Sequence, residues 1–453
     1  GTANYQHENK LYVDRLCTVA SLELTYRDGR VEYIRTDESW DTYSNEVTFS
    51  DIYNGETIDK TVEEICYGKA VLAQKSFELV KQIGEDIVEN DVIRPVALIT
   101  TPKGERVIDF GQNMTGYVSL CIKGRRGERV VISHAEVLDE NGNFYTVNLR
   151  SAKAQSNYIC SGSEDRFEAK FTFYGFRYLK VEGIEGELNP DNFQAAVIFS
   201  DIAENGNFSS SNDKVNQLQS NIQWGLSGNF LDVPTDCPQR DERLGWTGDA
   251  QVFFRTATFN RDVQNFFRKW LKDLALDQTE DGRVTDIVPN LNGLVGAGRV
   301  GWADAATIIP WQHYMAYSNR QTLSDSYNAM KKWVDHLIAK SKDNNYLWIG
   351  GSHYGDWLFY SVDNDRDGVS AVTSKYLIAQ CFFAHSLDNV AKAAEVLGKA
   401  YDVAYYTDIA KKVRLAYQNE YVTPNGLVSS DTQTAYVLAL KFDMLPEHLR
   451  KQA

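Results

Sequence analysis

The sequence predicts a multidomain chain in which antiparallel β-sandwich modules precede an all-α domain. Up to about residue 203, apolar residues alternate with polar ones in short runs cut by turn signals. From about residue 205 the apolar period lengthens to that of a helix. The 453 residues are also enough for two to four domains, each with its own core.

Taken in order, Ala20–Tyr26, Tyr117–Ile122 and Val130–Ser133 read as strands. Arg27-Asp28-Gly29, Lys103-Gly104, Arg126-Gly127 and Glu140-Asn141-Gly142-Asn143 separate such runs and supply turns. Two sandwich modules are expected, over residues 1–95 and 96–203. The stretch Glu63–Glu85 fits neither period cleanly and could carry some helix.

The third domain, 204–453, opens with a helix over Val215–Leu231 that ends near Pro234, and the next begins near Trp246. Val263, Phe266, Phe267, Trp270, Leu271 and Leu274 fall on one helical face, and similar stripes run through 304–318, 322–340, 370–388, 391–401 and 405–418. Trp224, Trp270 and Trp333 lie within helical stripes and are predicted core residues. Long helices joined by Gly- and Asp-rich loops suit an α/α toroid. Periodicity alone suits an ordinary helical bundle equally well.

Composition narrows the function. A net charge of −15 argues against nucleic acid and anionic membrane surfaces. With 12% aromatic residues the chain is compatible with neutral carbohydrate partners, as are many others. Six widely spaced cysteines and seven scattered histidines form no metal-spaced set. The thiols are expected to be unpaired and largely buried. The opening Gly1-Thr2-Ala3-Asn4 has no basic or apolar leader pattern, so cytoplasmic residence is expected, although a processed start would hide such a segment.

The densest chemistry lies in Asp236-Cys237-Pro238-Gln239-Arg240-Asp241-Glu242-Arg243-Leu244-Gly245-Trp246-Thr247-Gly248-Asp249. Pro234 and Pro238 discourage helix there, so the charges belong to a loop between two helices. Acidic groups this close, beside an indole, suit acid–base chemistry on a sugar. The bland reading is a solvated, charge-paired turn, which composition alone would favour.

Continued through Ala250-Gln251-Val252-Phe253, this run resembles the signature of α-L-rhamnosidases of glycoside hydrolase family 78. Phe110–Gly116, His134–Leu138 and Phe171–Tyr178 resemble that family's sandwich module, and Thr36–Trp40 and Phe49–Glu56 its N-terminal sandwich. The resemblance implies sandwich modules followed by an (α/α)6 toroid catalytic domain, acting as an inverting hydrolase on terminal α-L-rhamnose. Inversion needs one protonated carboxyl and one carboxylate that activates water, roughly 6.5–9.5 Å apart. By motif position Glu242 matches the general acid, and the like charges Asp236, Asp241 and Asp249 should raise its pKa. Asp236 and Asp249 are expected to stay ionised and hold sugar hydroxyls. Arg240 would contact the sugar and pair with a neighbouring acid, and Arg243 is expected to be structural.

The same resemblance brings Trp246, Trp302 and Trp357 to the pocket wall, where the C–H faces of a 6-deoxy sugar need apolar contact. Asp286, His353 and Asp356 are further, weaker candidates for hydroxyl contacts. No organic cofactor and no metal are implied. Asp363-Asn364-Asp365-Arg366-Asp367-Gly368 mimics the start of an EF-hand loop, but its twelfth position is Ser374 rather than Glu. In the family the general-base Glu lies beyond the equivalent of Ala453, so the toroid is expected to be incomplete at the C-terminus. Two alternatives follow: a rhamnoside-binding protein or fragment that lacks the general base, or another α/α-toroid glycosidase or lyase, the lyase being at odds with the net charge of −15. Rhamnose-containing glycosides or oligosaccharides are the expected partners, and a homodimer is compatible with the sequence.

Overall fold

The structure is a computed structural model that describes residues 16–73, 79–291, 293, 295–359 and 372–453. Its first part is built of strands: β1 Ser21–Thr25, β2 Val31–Arg35, β3 Asp41–Tyr43, β4 Val47–Asp51, β5 Gly55–Asp59, β6 Cys66–Lys69, β7 Ile87–Ile93 and β8 Ala97–Thr100. There follow β9 Arg106–Lys123, β10 Arg129–Ala135, β11 Gln155–Ile159, β12 Glu164–Glu168, β13 Tyr174–Glu182 and β14 Phe193–Ser200. The β1–β2 hairpin closes around Arg27-Asp28-Gly29, where Gly29 takes the left-handed conformation and donates to the Tyr26 carbonyl at 2.9 Å. No helix falls in Glu63–Glu85 among the described residues, and β6 lies there instead.

Ten strands form one sheet in the order β4-β5-β11-β10-β13-β9-β14-β7, with β8 and β12 also on β9. The 18 residues of β9 serve it twice: the first half pairs with β8, and the second with β12 and β14. Strand pairing crosses residue 95, since β4, β5 and β7 join the sheet that holds β9 to β14. Most pairs are antiparallel, but β5 and β11 run parallel, from Gly55↔Gln155 to Asp59↔Ile159. Gly55 permits that approach, because a Cβ there would lie 1.9 Å from the Gln155 carbonyl oxygen. Alternating inward residues such as Ile108, Phe110, Val118, Leu120, Ile132, Phe176 and Leu179 make the sandwich core.

The second part is helical: α1 Asp213–Asn229, then the two-residue strands β15 Phe230–Leu231 and β16 Val233–Pro234, then α2 Thr247–Asn260, α3 Gln264–Asp277, α4 Ala305–Tyr317 and α5 Arg320–Ser341. After these come α6 Lys375–Leu397, α7 Ala400–Tyr421, α8 Gln433–Lys441 and α9 Glu447–Arg450. Asn212, Asn319, Ser374 and Thr432 cap α1, α5, α6 and α8 by accepting from first-turn N–H groups. The stripe expected at 391–401 is not a helix of its own. It continues α6 to Leu397, where Gly398 in the left-handed conformation ends the helix. Trp270 and Trp333 are fully buried in the helical core, as their stripes predict.

Connection lengths alternate. Short links join α2 to α3, α4 to α5 and α6 to α7, which makes antiparallel helix hairpins. The links after α1, α3 and α5 are long, and they carry the motif residues, Trp302 and the 354–357 segment. Helix pairs of this kind preceded by sandwich-like domains match the expected fold class. No described helix is long and apolar enough to cross a membrane. Three of the six cysteines are buried (Cys160, Cys237, Cys381) and three exposed, so the thiols are less buried than composition suggests.

Candidate active site

The loop after α1 is folded on its own main chain. Asp236 N–H donates to the Leu244 carbonyl at 3.0 Å, and Leu244 N–H returns to Asp236 Oδ1 at 2.9 Å. Residues between them bulge out, with Arg243 in the left-handed region at φ 55°. That turn sends the two arginines in opposite directions. Arg243 is buried, and its guanidinium donates to the carbonyls of Ile52 (2.7 Å), Phe173 (2.8 Å) and Gln239 (3.2 Å), while Nε reaches that of Arg240 (3.2 Å). Burial without a carboxylate partner pushes its pKa down to about 10. It is structural, as expected.

Arg240 faces the acids. Its Nε donates to Glu242 Oε2 at 3.0 Å, and its Nη2 reaches Asp236 Oδ2 at 3.4 Å. Glu242 is 8% exposed. Trp246 Nε1 donates to its Oε1 at 3.1 Å, and Arg150 Nη1 donates to its Oε2 at 2.9 Å. The groups in direct contact with Glu242 are therefore N–H donors, two of them cationic, rather than the ring of like charges expected. The effect of like charge falls on the neighbours. Burial first, then Glu242 alongside, raises the Asp236 carboxyl to about 6, so it holds a proton more readily than the ionised role assumed for it. Asp249 is shifted upward by the crowding of protein atoms and by Glu242, yet it remains open to solvent. Asp241 accepts from Ser151 Oγ through Oδ2, while its buried Oδ1 has no hydrogen-bond partner among the described residues.

Tyr53, Arg150 and Ser151 come from the β-sandwich part of the chain, and sequence reasoning missed all three. Tyr53 donates its hydroxyl to the Glu242 carbonyl at 2.7 Å. Arg150 sits at φ 58° and ψ −117°, a conformation that costs a non-glycine residue energy and points to a functional constraint. The available signal was the run Tyr53-Asn54-Gly55, noted only as part of a longer likeness. Arg150 had none.

Aromatic groups close the other side. Tyr354 is their hub: its ring centroid lies 6.0 Å from Trp246, 4.7 Å from Trp302 and 5.6 Å from Trp357. The three tryptophans picked from sequence thus gather around a tyrosine that was not picked. Gly248 lets Trp302 approach α2, because a Cβ there would lie 2.4 Å from Trp302 Nε1. Buried Asp304 fixes the preceding turn by accepting from Gly301 N–H at 2.6 Å and from Trp333 Nε1 at 3.0 Å.

The weaker candidates are tied to protein groups. Asp286 is fully buried and accepts from Arg299 and from the Tyr354 hydroxyl (3.1 Å), which positions the hub. His353 Nδ1 accepts from Val300 N–H at 3.2 Å, and its Nε2 lies 2.8 Å from the Gly350 carbonyl. Asp356, half-buried, accepts from Thr434 Oγ1 at 2.5 Å. Trp224 is a correction: it is half-buried and packs against the sandwich core rather than the helical one. The Asp363–Gly368 run lies outside the described residues.

Asp236, Cys237 and Glu242 each place a donor atom within 4.8 Å of the others. Guanidiniums already hold Glu242 Oε2, and burial pushes the Cys237 thiol up to about 12, away from the thiolate a metal needs. The set does not suit a cation.

Three family descriptions match the chain in succession. They are the alpha-L-rhamnosidase N-terminal domain over residues 1–99, the bacterial alpha-L-rhamnosidase concanavalin-like domain over 99–199, and the bacterial alpha-L-rhamnosidase 6 hairpin glycosidase domain over 203–453. An alpha-L-rhamnosidase of Streptomyces avermitilis is 39% identical over 455 residues, covering 98% of this chain and 43% of the relative. The crystal structure of Streptomyces avermitilis alpha-L-rhamnosidase complexed with L-rhamnose superposes with a TM-score of 0.91 at 37% identity, over 100% of this chain and 44% of that one. Native α-L-rhamnosidase from Aspergillus terreus gives a TM-score of 0.92 at 32% identity, over 100% of this chain and 54% of that one. The chain spans about half the length of the curated relatives it matches.

Proposed function

This chain belongs to the bacterial α-L-rhamnosidases, and from that membership we propose that the protein is an inverting glycosidase that removes terminal α-L-rhamnose, with Glu242 as proton donor. The observation that carries the reading is the Glu242 carboxylate itself. It is buried beside an aromatic wall, and donors on both oxygens fix its orientation. A donor must be protonated before the glycosidic bond breaks, so substrate entry has to loosen the guanidinium contacts. Arg150, with 51% of its side chain exposed, is the contact able to swing away. Arg240 stays between Glu242 and Asp236, placed to donate to a sugar hydroxyl. Asp249, open to solvent, and Asp236 are acceptors for such hydroxyls, and Trp246, Trp302 and Trp357 with Tyr354 offer apolar surface to the C–H faces.

The test is rhamnose release from an alkyl α-L-rhamnoside, whose alkoxide needs a proton in order to leave, run beside nitrophenol release from an aryl one, whose leaving group does not. Glu242→Gln should lower kcat on the alkyl substrate about 10²–10⁴-fold with little change in KM, and less on the aryl one. A variant as fast as the parent would sink the role. One observation favours a second reading, binding without turnover: protein donors already occupy both Glu242 oxygens. Calorimetric rhamnose binding by a parent chain that releases no nitrophenol would select it.

A further inference from the structure

A cavity of about 470 Å³ lies in the seam between the β-sandwich and α1, within the size range of sites for small ligands. Its walls carry acceptors and donors together: the carboxyls of Glu136 and Asp236, the amides of Asn221, Asn229 and Gln239, and the Arg240 guanidinium. Asn229 and Gln239 both line it, and each has an amide oxygen buried behind the cavity surface without a hydrogen-bond partner among the described residues. Flipping the Asn229 amide would not help, because its Nδ2 is already committed to the Gly225 carbonyl at 2.8 Å. Glu136, also in the wall, has one oxygen taken by Asn113 Nδ2 at 3.0 Å, and burial raises its carboxyl. Asp236 adds a second carboxyl raised by burial. A polyhydroxyl ligand, whose O–H groups both donate and accept, matches such a mixed lining. Trp224 supplies apolar surface in the same wall.

The cavity is one side chain away from the candidate acid. Arg240 lines it and also holds Glu242 Oε2 at 2.9 Å. An acid that protonates the glycosidic oxygen marks the leaving-group side of the bond, because that oxygen departs with the leaving unit. We propose that this seam cavity is a subsite for the leaving sugar, a neutral hexose unit that carries the rhamnose. The inference rests on the rhamnosidase reading and adds to it a part of the β-sandwich that selects the substrate.

The test compares kcat/KM of the intact protein on rhamnosyl-α-1,6-glucose and on 4-nitrophenyl α-L-rhamnoside, for the parent, Glu136→Ala and Asn221→Phe. The first variant removes an acceptor. The second puts a ring at the exposed rim of the cavity, where Asn221 stands. Each should lower the disaccharide-to-aryl ratio of kcat/KM tenfold or more, chiefly through KM, with an unchanged melting temperature showing that the fold is intact. Ratios within twofold of the parent would overturn the proposal and leave the cavity a hydrated seam. A parent that turns over neither substrate defeats the rhamnosidase reading instead. Calorimetry of the disaccharide then decides: tenfold weaker binding to Asn221→Phe supports the subsite, and equal binding overturns it.

Discussion

The two halves of the Asp236–Asp249 segment, a loop that runs into the first turn of α2, are held by different parts of the molecule and in different ways. The β-sandwich grips the first half through contacts that each involve a polar side chain: Tyr53 on the Glu242 carbonyl, Arg150 on its carboxylate, Ser151 on Asp241, and the Arg243 guanidinium on the main-chain carbonyls of Ile52 and Phe173. The helical part grips the second half mainly through main chain and close approach. Val288 N–H donates to the Gly245 carbonyl at 2.8 Å, Thr247 N–H to that of Asp286 at 2.9 Å, and Gly248 admits Trp302. Glu242 sits where the two grips meet. The candidate site therefore belongs to the seam between the parts, and the sandwich supplies contacts that the helical domain cannot make alone.

The largest expected effect separates the two arginines of the loop. Arg243→Met removes the donor shared by four carbonyls and should cost on the order of 4 kcal/mol, read as a lower urea midpoint. Arg240→Met, at a half-buried position between two acids, should leave that midpoint close to the parent and lower aryl-rhamnoside turnover instead. If Arg243→Met unfolds at the parent's urea concentration, the sandwich grip on the loop is not what holds it.

The next effect depends on pH. Asp236 is raised from 3.8 to about 6 in the folded chain, so folding takes up a proton there that the unfolded chain has released. The associated stability is fully present below pH 3.8 and lost as pH rises through about 6, a span worth about 3 kcal/mol. Asp236→Asn cannot ionise and keeps an acceptor for Leu244 N–H. Relative to the parent, the variant should gain stability by about that amount between pH 3.5 and pH 7 in urea titrations. A constant difference across that range would show that the carboxyl is not strained by burial and by Glu242.

Residues near one another in sequence were the legible ones. Alternation and turn residues located β1 and its hairpin, and the 3.6-residue period located α3 with Trp270 in its core. The motif put Asp236, Arg240, Glu242, Trp246 and Asp249 on one loop; the structure keeps them near one another, with Trp246 at the N-cap of α2 and Asp249 in its first turn. What depends on distant pairing was not legible. Arg150 is 92 residues from Glu242 and Tyr53 is 189, and no local pattern announces either contact. Trp224 was misread because it lies in a helical stripe, yet the face of α1 that carries it packs on the sandwich. Tyr354 was passed over for its tryptophan neighbours, although its position among three rings makes it their common contact.

The smallest expected effect tests the seam most directly. Tyr53→Phe keeps the ring beside Arg243 and removes only the hydroxyl that donates to the Glu242 carbonyl at 2.7 Å. Losing that bond and leaving the carbonyl unpaired should cost about 1–2 kcal/mol of stability. If the sandwich also sets the position of Glu242, kcat should fall up to about tenfold while KM holds, because small displacements of a reacting group are costly. If stability falls and kcat does not, the sandwich supports the loop without positioning its carboxylate. Arg150 would then be the remaining contact through which the sandwich reaches the Glu242 side chain, and Arg150→Lys, which keeps the charge at a shorter reach, would distinguish a bound counter-ion from a positioning residue.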